Sequence, residues 1–435
     1  MSKRYLKRAS GSARSDTESV RPTVQAILDD IERHREAAAR KFAQDLDGSA
    51  GPFELTPDEI EDAARKVPGK LKDDLAFAHD NIRRFAKAQK DSLREFELEL
   101  EPGFVTGQRC IPVRNAGCYA PGGRYSHVAS AMMTVTTAKV AGCKSTVLCA
   151  PPGSDKRMDP AIVYAARLCG ADRVLAIGGV QAIATMAFGL FGLPRSDIIA
   201  GPGNQYVAEA KRILYGRVGI DMLAGPTDSL VIADASADAE IVAADLVGQA
   251  EHGYNSPVWL VTDDEDLACR VMLRVPQMIS ALPGTNRESA AAAWSGFAEV
   301  ILCDDREIMA EAADDLAPEH LTVQAADLEW WLGRLSCYGS LFLGEQTTVA
   351  YGDKASGPNH VLPTSGAARY TGGLSVHKFL KVVTWQRATE HGAKRVAETT
   401  ARISRLEGME AHARTADLRL GKYFPQESFD LAGRG

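Results

Sequence analysis

Residues 173–187, RVLAIGGVQAIATMA, contain the pattern that decides the fold. Residues 173–177 form a mostly apolar run of strand length, Gly178 and Gly179 mark a turn, and an apolar helical run begins at Gln181. A strand, a glycine-containing turn and a helix in this order are typical of βαβ units, in which successive strands are parallel. The stretch therefore predicts an α/β fold built on a parallel sheet.

The same pattern recurs along most of the chain. Further strands are predicted at 146–149, 197–199, 229–232, 257–261, 297–303 and 321–324. Helices are predicted to begin after the first four of them, at Pro160, Asn204, Asp238 and Glu265. Because strands and helices alternate so regularly, the sequence predicts two doubly wound, Rossmann-like parallel-sheet lobes.

The two ends of the chain carry helical extensions instead. Thr56, Pro57 and Glu59 form a capping box that starts a helix, a helical run covers 71–90, and 394–422 is helical again. Residues 96–100 alternate as a half-exposed strand. The predicted division is a helical N-terminal region at 1–105, lobes at 106–235 and 236–375, and a helical C-terminal tail at 376–435.

Composition excludes several classes of protein. The chain has 435 residues, of which 45% are hydrophobic and 25% charged, so it is neither disordered nor a coiled coil. The net charge of −7 argues against a nucleic-acid binder, which usually carries a basic stripe. A basic cluster near the N-terminus is interpreted as a solvated tail; it contains Lys3, Arg4, Lys7 and Arg8.

Membrane insertion and secretion are not expected either. No apolar segment follows the basic start, and the uncharged stretch 174–194 fits a strand, a turn and a buried helix. The eight cysteines form no C-x-x-C pair, which predicts buried thiols rather than disulfides or a thiolate zinc site. We therefore expect a cytoplasmic protein without a nucleic-acid or membrane partner.

Two motifs have both a functional and a plain structural interpretation. Gly201, Gly203 and Asn204 follow a strand and open a helix, which suits phosphate binding or simply a tight turn, since Tyr206 replaces the third glycine of the dinucleotide fingerprint. Gln249 lies three residues before His252 near a helix end. Such a pair can share a metal ion, but a histidine there can also cap the helix.

Three further segments carry polar chemistry. Glu319 and His320 are adjacent before a strand, as a water-activating base and proton acceptor would be, or as a surface pair would be. The polar loop 351–360 has more hydrogen-bonding groups than a plain connection needs. In the C-terminal helical tail, Glu407 and His412 are only loosely on one face, and His412 alone would be interpreted as an ordinary helix histidine.

Taken together and in order, these segments make the chain resemble the histidinol dehydrogenase family from about residue 20 to 420. The segments are 118–123, 177–182, 201–204, 221–226, 249–253, 317–321 and 357–363. Within the family, the chain is most similar to the members that handle a sulfonated diol. The segments that carry this second resemblance are 123–130, 253–259, 330–331 and 374–379.

The resemblance implies a zinc-dependent, NAD-dependent enzyme. It assigns zinc to Gln249, His252, Asp353 and His412. It assigns catalysis to His320, which would accept the hydroxyl proton, and to Glu319, which would activate water to attack a bound aldehyde. The positions implied to contact NAD, on the side of the first lobe, are Tyr119, Gln181 and Asn204.

The resemblance also implies substrate contacts at Thr227, His360 and Glu407. A sulfonate carries a fixed negative charge and favours cationic or amide donors. The chain differs from histidinol dehydrogenases at donors that suit this charge, namely Arg124, His127, His377 and Lys378. Glu407 fits this picture poorly, since a carboxylate repels a sulfonate, and we expect it to hold a hydroxyl or a cationic neighbour.

The expected reaction is the four-electron oxidation of (R)-2,3-dihydroxypropane-1-sulfonate to (R)-3-sulfolactate. Family members form homodimers in which the C-terminal portion of one chain completes the partner's site, which would bring His412 and Glu407 across the interface. The alternatives are oxidation of L-histidinol to L-histidine, a zinc hydrolase that uses Glu319 without NAD, and a non-catalytic metal-binding scaffold.

Overall fold

The computed structural model describes residues 2–11, 17–122, 126–223 and 225–432, with only the backbone at 17 and 18. The strands in these ranges are β1 (Lys3–Lys7), β2 (Phe96–Glu101), β3 (Phe104–Pro112), β4 (Asn115–Tyr119), β5 (Ser145–Ala150), β6 (Arg173–Ala176), β7 (Ile198–Ala200), β8 (Gly219–Ile220), β9 (Ser229–Ala233), β10 (Val258–Thr262), β11 (Glu299–Cys303), β12 (His320–Gln324), β13 (Ser340–Leu343) and β14 (Leu380–Ala388).

The helices include one after every strand from β4 to β13 except β8. They are α1 (Thr17–His34), α2 (Glu36–Asp47), α3 (Pro57–Lys66), α4 (Gly69–Asp91), α5 (Val128–Ala141), α6 (Pro160–Cys169), α7 (Gly179–Phe188), α8 (Gln205–Leu214), α9 (Ala239–Ala250), α10 (Glu265–Ala281), α11 (Gly284–Phe297), α12 (Arg306–Leu316), α13 (Leu328–Arg334), α14 (Val349–Gly352), α15 (Glu390–Leu406) and α16 (Glu410–Tyr423). Two short 3-10 turns lie at Ala367–Arg369 and Val376–Phe379.

Both parallel sheets lie in one compact unit, formed by residues 1–90 and 112–379. One sheet has the order β6-β5-β4-β7-β8, and the other has the order β1-β11-β10-β9-β12-β13. Apart from β1, every strand pair in both sheets is parallel. Each sheet therefore has the spatial order 3-2-1-4-5 of a doubly wound fold, and the predicted fold class is confirmed.

The second compact unit is formed by residues 91–111 and 380–435. It contains the sheet β14-β3-β2 and the helices α15 and α16. A small core of Ala397, Ala401, Ala416, Leu420 and Phe424 holds the two helices together. The tail that was predicted to be helical therefore also supplies a strand, β14.

Local sequence signals set several element boundaries as expected. The Thr56 hydroxyl accepts a hydrogen bond from the Glu59 amide, and the Glu59 carboxylate accepts one from the Thr56 amide (2.8 Å). This reciprocal capping satisfies two amides that the first turn of α3 would otherwise leave unpaired. The predicted capping box is confirmed.

The interpretation of the basic N-terminus as a solvated tail is wrong. Residues 3–7 form β1, which pairs antiparallel with the edge strand β11, with Tyr5 opposite Ile301. Tyr5 and Leu6 pack against the cores on the two faces of this sheet, while Lys3 and Arg4 form exposed ion pairs. The alternation of the strand thus hides its apolar residues and leaves its charges in solvent.

Two further expectations are corrected by the structure. The predicted boundary at residue 235 assigns β9 to the first lobe, but β9 pairs with β10 and β12 and so lies in the second sheet. The rest of the four-part division stays a prediction. Five of the eight thiols are buried, but Cys110 and Cys337 are partly exposed and Cys269 is exposed, and all eight are free.

In the part of the chain that the structure describes, no helix combines the length and the apolar character needed to cross a membrane.

Deleting residues 2–7 should lower the free energy of unfolding by about 2–3 kcal/mol, because Tyr5 and Leu6 lose their burial and β11 loses its partner. The double variant Lys3→Ala, Arg4→Ala is the control, since it removes only exposed ion pairs worth about 0–1 kcal/mol each. Urea unfolding measures both variants. A deletion no less stable than the double variant would contradict the role of β1.

Candidate active site

The first sheet offers a ligand-binding position at its topological switch point. The strand order reverses between β4 and β7, and ligands of doubly wound sheets bind at the carboxyl ends of the strands at such a point. Tyr119 ends β4, and Gly201 follows β7 with φ of +128°. A Cβ atom at Gly201 would lie 2.0 Å from the Tyr119 carbonyl oxygen, so only glycine lets the two loops approach so closely.

The residues implied to contact NAD lie around this point. Asn204 is exposed and caps α8, since its side chain accepts from the Tyr206 and Val207 amides. Tyr119 and Gln181 are buried, and the Tyr119 hydroxyl accepts from the Gly179 amide (3.0 Å). The loops at this edge therefore follow the predicted arrangement of a strand, a glycine turn and a helix.

A carboxylate that the sequence did not single out also lies here. Asp47, the last residue of α2, accepts from the Gly178 amide (3.0 Å) and from Gln181 Nε2 (2.9 Å). Gln181 Oε1 is buried and has no hydrogen-bond partner among the described residues. A buried amide oxygen without a donor is uncommon in folded proteins.

A buried ion pair holds the Gly201 turn in place through its amide and its carbonyl. Lys211 Nζ contacts Asp221 and donates to the Gly201 carbonyl (3.0 Å), while Asp221 Oδ2 accepts from the Gly201 amide (2.7 Å). Both side chains are almost fully buried. Because each charge has a partner and further hydrogen bonds, the pair rigidly ties the turn to the loop after β8.

Glu319 and His320 lie at the amino ends of the strands of the second sheet, whereas the switch point described above lies at the carboxyl ends of the strands of the first sheet. His320 is the first residue of β12 and Glu319 precedes it, and both side chains are buried. Ala317, which ends α12, has φ of +47°, in the left-handed region that favours glycine. This turn redirects the chain from α12 into β12 and brings both side chains into the protein interior.

Asp228, just before β9, holds this pair in place. Its Oδ1 accepts from the Glu319 amide (2.7 Å), and its Oδ2 accepts from the Ser365 amide (2.8 Å). The Asp228 amide donates to Glu319 Oε2 (3.3 Å), and its carbonyl accepts from the His320 amide (3.3 Å). The Thr227 hydroxyl also hydrogen-bonds to Glu319.

The Asp353 carboxylate lies between two imidazoles. Asp353 Oδ1 is 3.6 Å from His320 Nε2, and Asp353 Oδ2 is 3.7 Å from His252 Nε2. His320 Nδ1 is 3.8 Å from Glu319 Oε2. The structure thus brings together Glu319, His320, His252 and Asp353, which are far apart in the sequence.

A second layer of donors surrounds this group. His360 Nδ1 hydrogen-bonds the Asp353 carbonyl (2.9 Å), and His360 Nε2 hydrogen-bonds Ser130 Oγ (2.8 Å). His127 immediately precedes α5, the helix that carries Ser130. Burial and the nearby charges of His360, Lys354 and His252 lower the pKa of His127 to about 4, so its imidazole is neutral at pH 7.

The pKa values of two buried carboxyls in this group are shifted in opposite directions. Burial raises the pKa of Glu319 well above its usual value, and the charges of Asp228 and Asp353 raise it further. Burial also opposes ionisation of Asp353, but the interactions with His320, His360 and His252 outweigh burial and lower the pKa of Asp353. Two carboxyls with opposite shifts at one site are typical of acid–base chemistry.

Gln249, His252 and Asp353 have side chains that suit a divalent ion. Gln249 Oε1 is buried without a hydrogen-bond partner among the described residues, and its oxygen, the His252 imidazole and the Asp353 carboxylate are all ligands that zinc accepts. His252 Nε2 and Asp353 Oδ2 are 3.7 Å apart. This distance is near the separation of about 3.4 Å between two donor atoms of one tetrahedral zinc. Among the described residues, no three His, Cys, Asp or Glu side chains are arranged to hold a metal.

The remaining candidate residues belong to other segments of the chain. Glu407 and His412 are exposed in the second compact unit. His377 Nε2 hydrogen-bonds the Gln89 carbonyl (3.3 Å), and Lys378 Nζ donates to the Thr371 hydroxyl (3.1 Å). Arg124 lies outside the described residues.

Sequence reasoning missed the roles of Asp228 and Ser130. Asp228 acts through hydrogen bonds across 91 positions of the chain, which no local pattern reveals. Ser130 lies in the stretch 126–130 beside His127, so its closeness to a candidate could have suggested it.

Comparison with known proteins adds the following similarities. The family model for histidinol dehydrogenase matches residues 11–420. The chain is 65% identical to sulfopropanediol 3-dehydrogenase from Ruegeria pomeroyi, over 99% of both chains. It is 40% identical to histidinol dehydrogenase from Thermus thermophilus, over 92% of this chain and 95% of the other. The crystal structure of histidinol dehydrogenase from Elizabethkingia anophelis superimposes with a TM-score of 0.89 at 33% identity, covering 96% of this chain and 94% of the other.

Gly339→Ala should lower the free energy of unfolding by about 1–3 kcal/mol, because the new Cβ would lie 2.5 Å from the Glu319 carbonyl oxygen. Gly333→Ala is the matched control. It lies in α13 with open space around it and should be neutral or stabilising by up to about 1 kcal/mol. Urea unfolding compares the two, and equal stability would show that the Glu319 backbone is not tightly enclosed.

Stability should fall as the pH drops from about 6.5 to about 4. In that window the unfolded His127 binds a proton that the folded His127 does not, since burial lowers its pKa to about 4. His127→Gln removes this contribution, and its unfolding free energy should depend less steeply on pH, by at most about 1.4 kcal/mol per pH unit. Denaturant titrations at several pH values measure both proteins. Identical slopes would mean that His127 titrates normally in the fold.

Proposed function

Because this chain belongs to the histidinol dehydrogenase family, we propose that it is a sulfopropanediol dehydrogenase. It oxidises (R)-2,3-dihydroxypropane-1-sulfonate to (R)-3-sulfolactate with NAD and zinc, as one step of organosulfonate degradation. The observation that carries this proposal is the 65% identity, over almost the whole chain, with an enzyme that bears that name.

His320 accepts the proton of the substrate hydroxyl. Its two ring nitrogens are buried and have no hydrogen-bond partner among the described residues, so neither is committed to a structural bond. Glu319 and Asp353 lie within 4 Å of the ring, and Asp353, whose anionic form is favoured, can stabilise the imidazolium that forms. This supports His320 as the base for the alcohol step.

Glu319 activates water for the second step. Burial raises its pKa above that of an ordinary carboxyl, which suits a group that must both gain and lose a proton. Asp228 and Thr227 hold the carboxyl in a fixed orientation through hydrogen bonds. Water would then add to the bound aldehyde, and the hydrate would become the acid by giving its hydride to a second NAD.

The two cofactors have separate sets of residues. Zinc would be held by Gln249, His252, Asp353 and His412, and it would polarise the substrate oxygen as a Lewis acid. NAD would accept the hydride, held near Tyr119, Gln181 and Asn204 at the switch point of the first sheet.

Neutral and cationic donors around Asp353 support an anionic substrate. His127 is a neutral donor, His360 and Ser130 hydrogen-bond each other and would have to give up that bond to reach substrate, and the charge of Lys354 acts on His127, His252 and His360. Together with Thr227 and Glu407, they make up our proposed substrate contacts. His377 and Lys378 remain candidates, although the structure gives both of them other partners.

We further propose a cytoplasmic homodimer with shared active sites. On β2, Phe96, Leu98 and Leu100 lie on one face of the strand and are 47–59% exposed. Such an exposed apolar row supports contact with a partner chain. In that dimer, His412 and Glu407 of one chain would complete the site of the other.

NADH production by the zinc-loaded protein tests the substrate. We expect two NADH per molecule of the sulfonated diol and at least 100-fold lower kcat/KM with L-histidinol. The reverse preference would assign the protein to histidinol oxidation. Substrate turnover without NADH would favour a hydrolase, and no turnover of either alcohol would favour a metal-binding scaffold.

Glu319→Gln separates the two oxidation steps. The amide keeps the shape of the carboxyl but cannot accept the proton of water, so NADH per alcohol consumed should fall from two towards one. Aldehyde trapping and NADH absorbance measure this ratio. Glu329→Gln, on the exposed part of α13, is the control and should keep a ratio of two. An unchanged ratio in Glu319→Gln would remove Glu319 from the water step.

A further inference from the structure

The carboxylate of Asp245 connects three elements of the second sheet region. Asp245 lies in the middle of α9, and its Oδ2 accepts from Gln324 Nε2 (2.7 Å) at the end of β12. Its Oδ1 accepts from the Thr348 hydroxyl (2.8 Å), just before α14. Both oxygens are therefore engaged by side chains of other elements.

Each of these elements carries a residue of the proposed metal and catalytic centre. Gln249 lies one helical turn after Asp245 on α9, and His252 follows the end of that helix. His320 begins the strand that Gln324 ends. Asp353 follows α14 directly.

The Asp245–Gln324 hydrogen bond sets how far α9 is shifted along β12. His320 and Gln324 are four residues apart on a strand, so both point to the same face of the sheet and are about 13 Å apart. From Asp245 to His252 the chain advances about 10 Å at the helical rise. Fixing α9 to β12 at one end therefore brings His252 close to the level of His320 at the other end, with Gln249 about halfway between.

The Asp245–Thr348 hydrogen bond holds the short turn that presents Asp353. The Asp353 amide donates to the Val349 carbonyl (2.8 Å), so a shift of Thr348 moves Asp353 with it. Gly352 packs so tightly on Phe342 of β13 that a Cβ there would lie 2.7 Å from the ring. The turn is thus held by β13 on one side and by Asp245 on the other.

We propose that Asp245 is a positioning residue, which holds α9, β12 and the 348–353 turn so that Gln249, His252, His320 and Asp353 converge. This inference rests on the proposed function, because it concerns the same centre. Asp245 uses both of its oxygens within the protein, so its role is to fix the donor groups rather than to contact substrate.

Asp245→Ala tests the proposal. Zinc release from the purified holoenzyme to a chromophoric chelator should become 10–100-fold faster, the usual effect of losing a residue that orients metal ligands. The kcat should fall at least tenfold, while the KM for NAD should change less than twofold, because the proposed NAD site lies on the other sheet.

Asp238→Ala is the matched control. Asp238 caps the same helix through the Glu240 amide but touches neither Gln324 nor Thr348, so it weakens α9 without releasing its position. Asp245→Asn should retain zinc much better than Asp245→Ala. Its amide oxygen can accept from the Thr348 hydroxyl, and its amide nitrogen can donate to Gln324 Oε1 after the Gln324 amide rotates by 180°. Thr348→Val should change zinc release in the same direction as Asp245→Ala, but less.

The outcomes distinguish a failure of the proposed function from a failure of the positioning role. A wild-type enzyme that binds no zinc and forms no NADH would overturn the proposed function. A wild-type enzyme that does both, with Asp245→Ala losing zinc and kcat no more than Asp238→Ala, would overturn only the positioning role. If Asp245→Ala fails to fold, Thr348→Val decides, and zinc release equal to that of the wild type would overturn the inference.

Discussion

The pairing of β9 with β12 is the constraint on which the rest of the site depends. His320 lies opposite Ser229 in this parallel pair, so the residues just before the two strands, Asp228 and Glu319, are also neighbours. Their backbones and side chains then exchange hydrogen bonds in both directions. A slip of one residue would turn His320 to the other face of the sheet and separate it from Asp353.

The two sheets share a strand order but differ at their carboxyl ends. In the second sheet, the helices after β9, β10 and β11 begin at Asp238, Asp264 and Asp305, whose carboxylates accept from the first helical amides. In the first sheet, α6 also begins at an aspartate, Asp159, but α8, which follows the switch-point strand β7, begins at the neutral Asn204. Fixed negative charge at a helix start disfavours a bound phosphate, so the second sheet is poorly suited to a dinucleotide.

The sequence predicted the features that depend on neighbouring residues. The alternation of strands and helices, the capping box at Thr56 and the closeness of Glu319 to His320 all follow from local patterns. The strand β1 was missed because its partner lies about 300 positions away and its composition resembles a tail. Asp228 and Asp245 were missed for the same physical reason, since their partners come from distant segments.

The left-handed backbone of Ala317 has a consequence for engineering. An L-residue in this conformation costs about 1–2 kcal/mol relative to glycine, and Ala317 is fully buried between α12 and Glu319. Replacing it with glycine would relieve that strain but would also give the backbone before Glu319 more conformations. At this one position, heat resistance and a rigid backbone before Glu319 make opposite demands on the side chain.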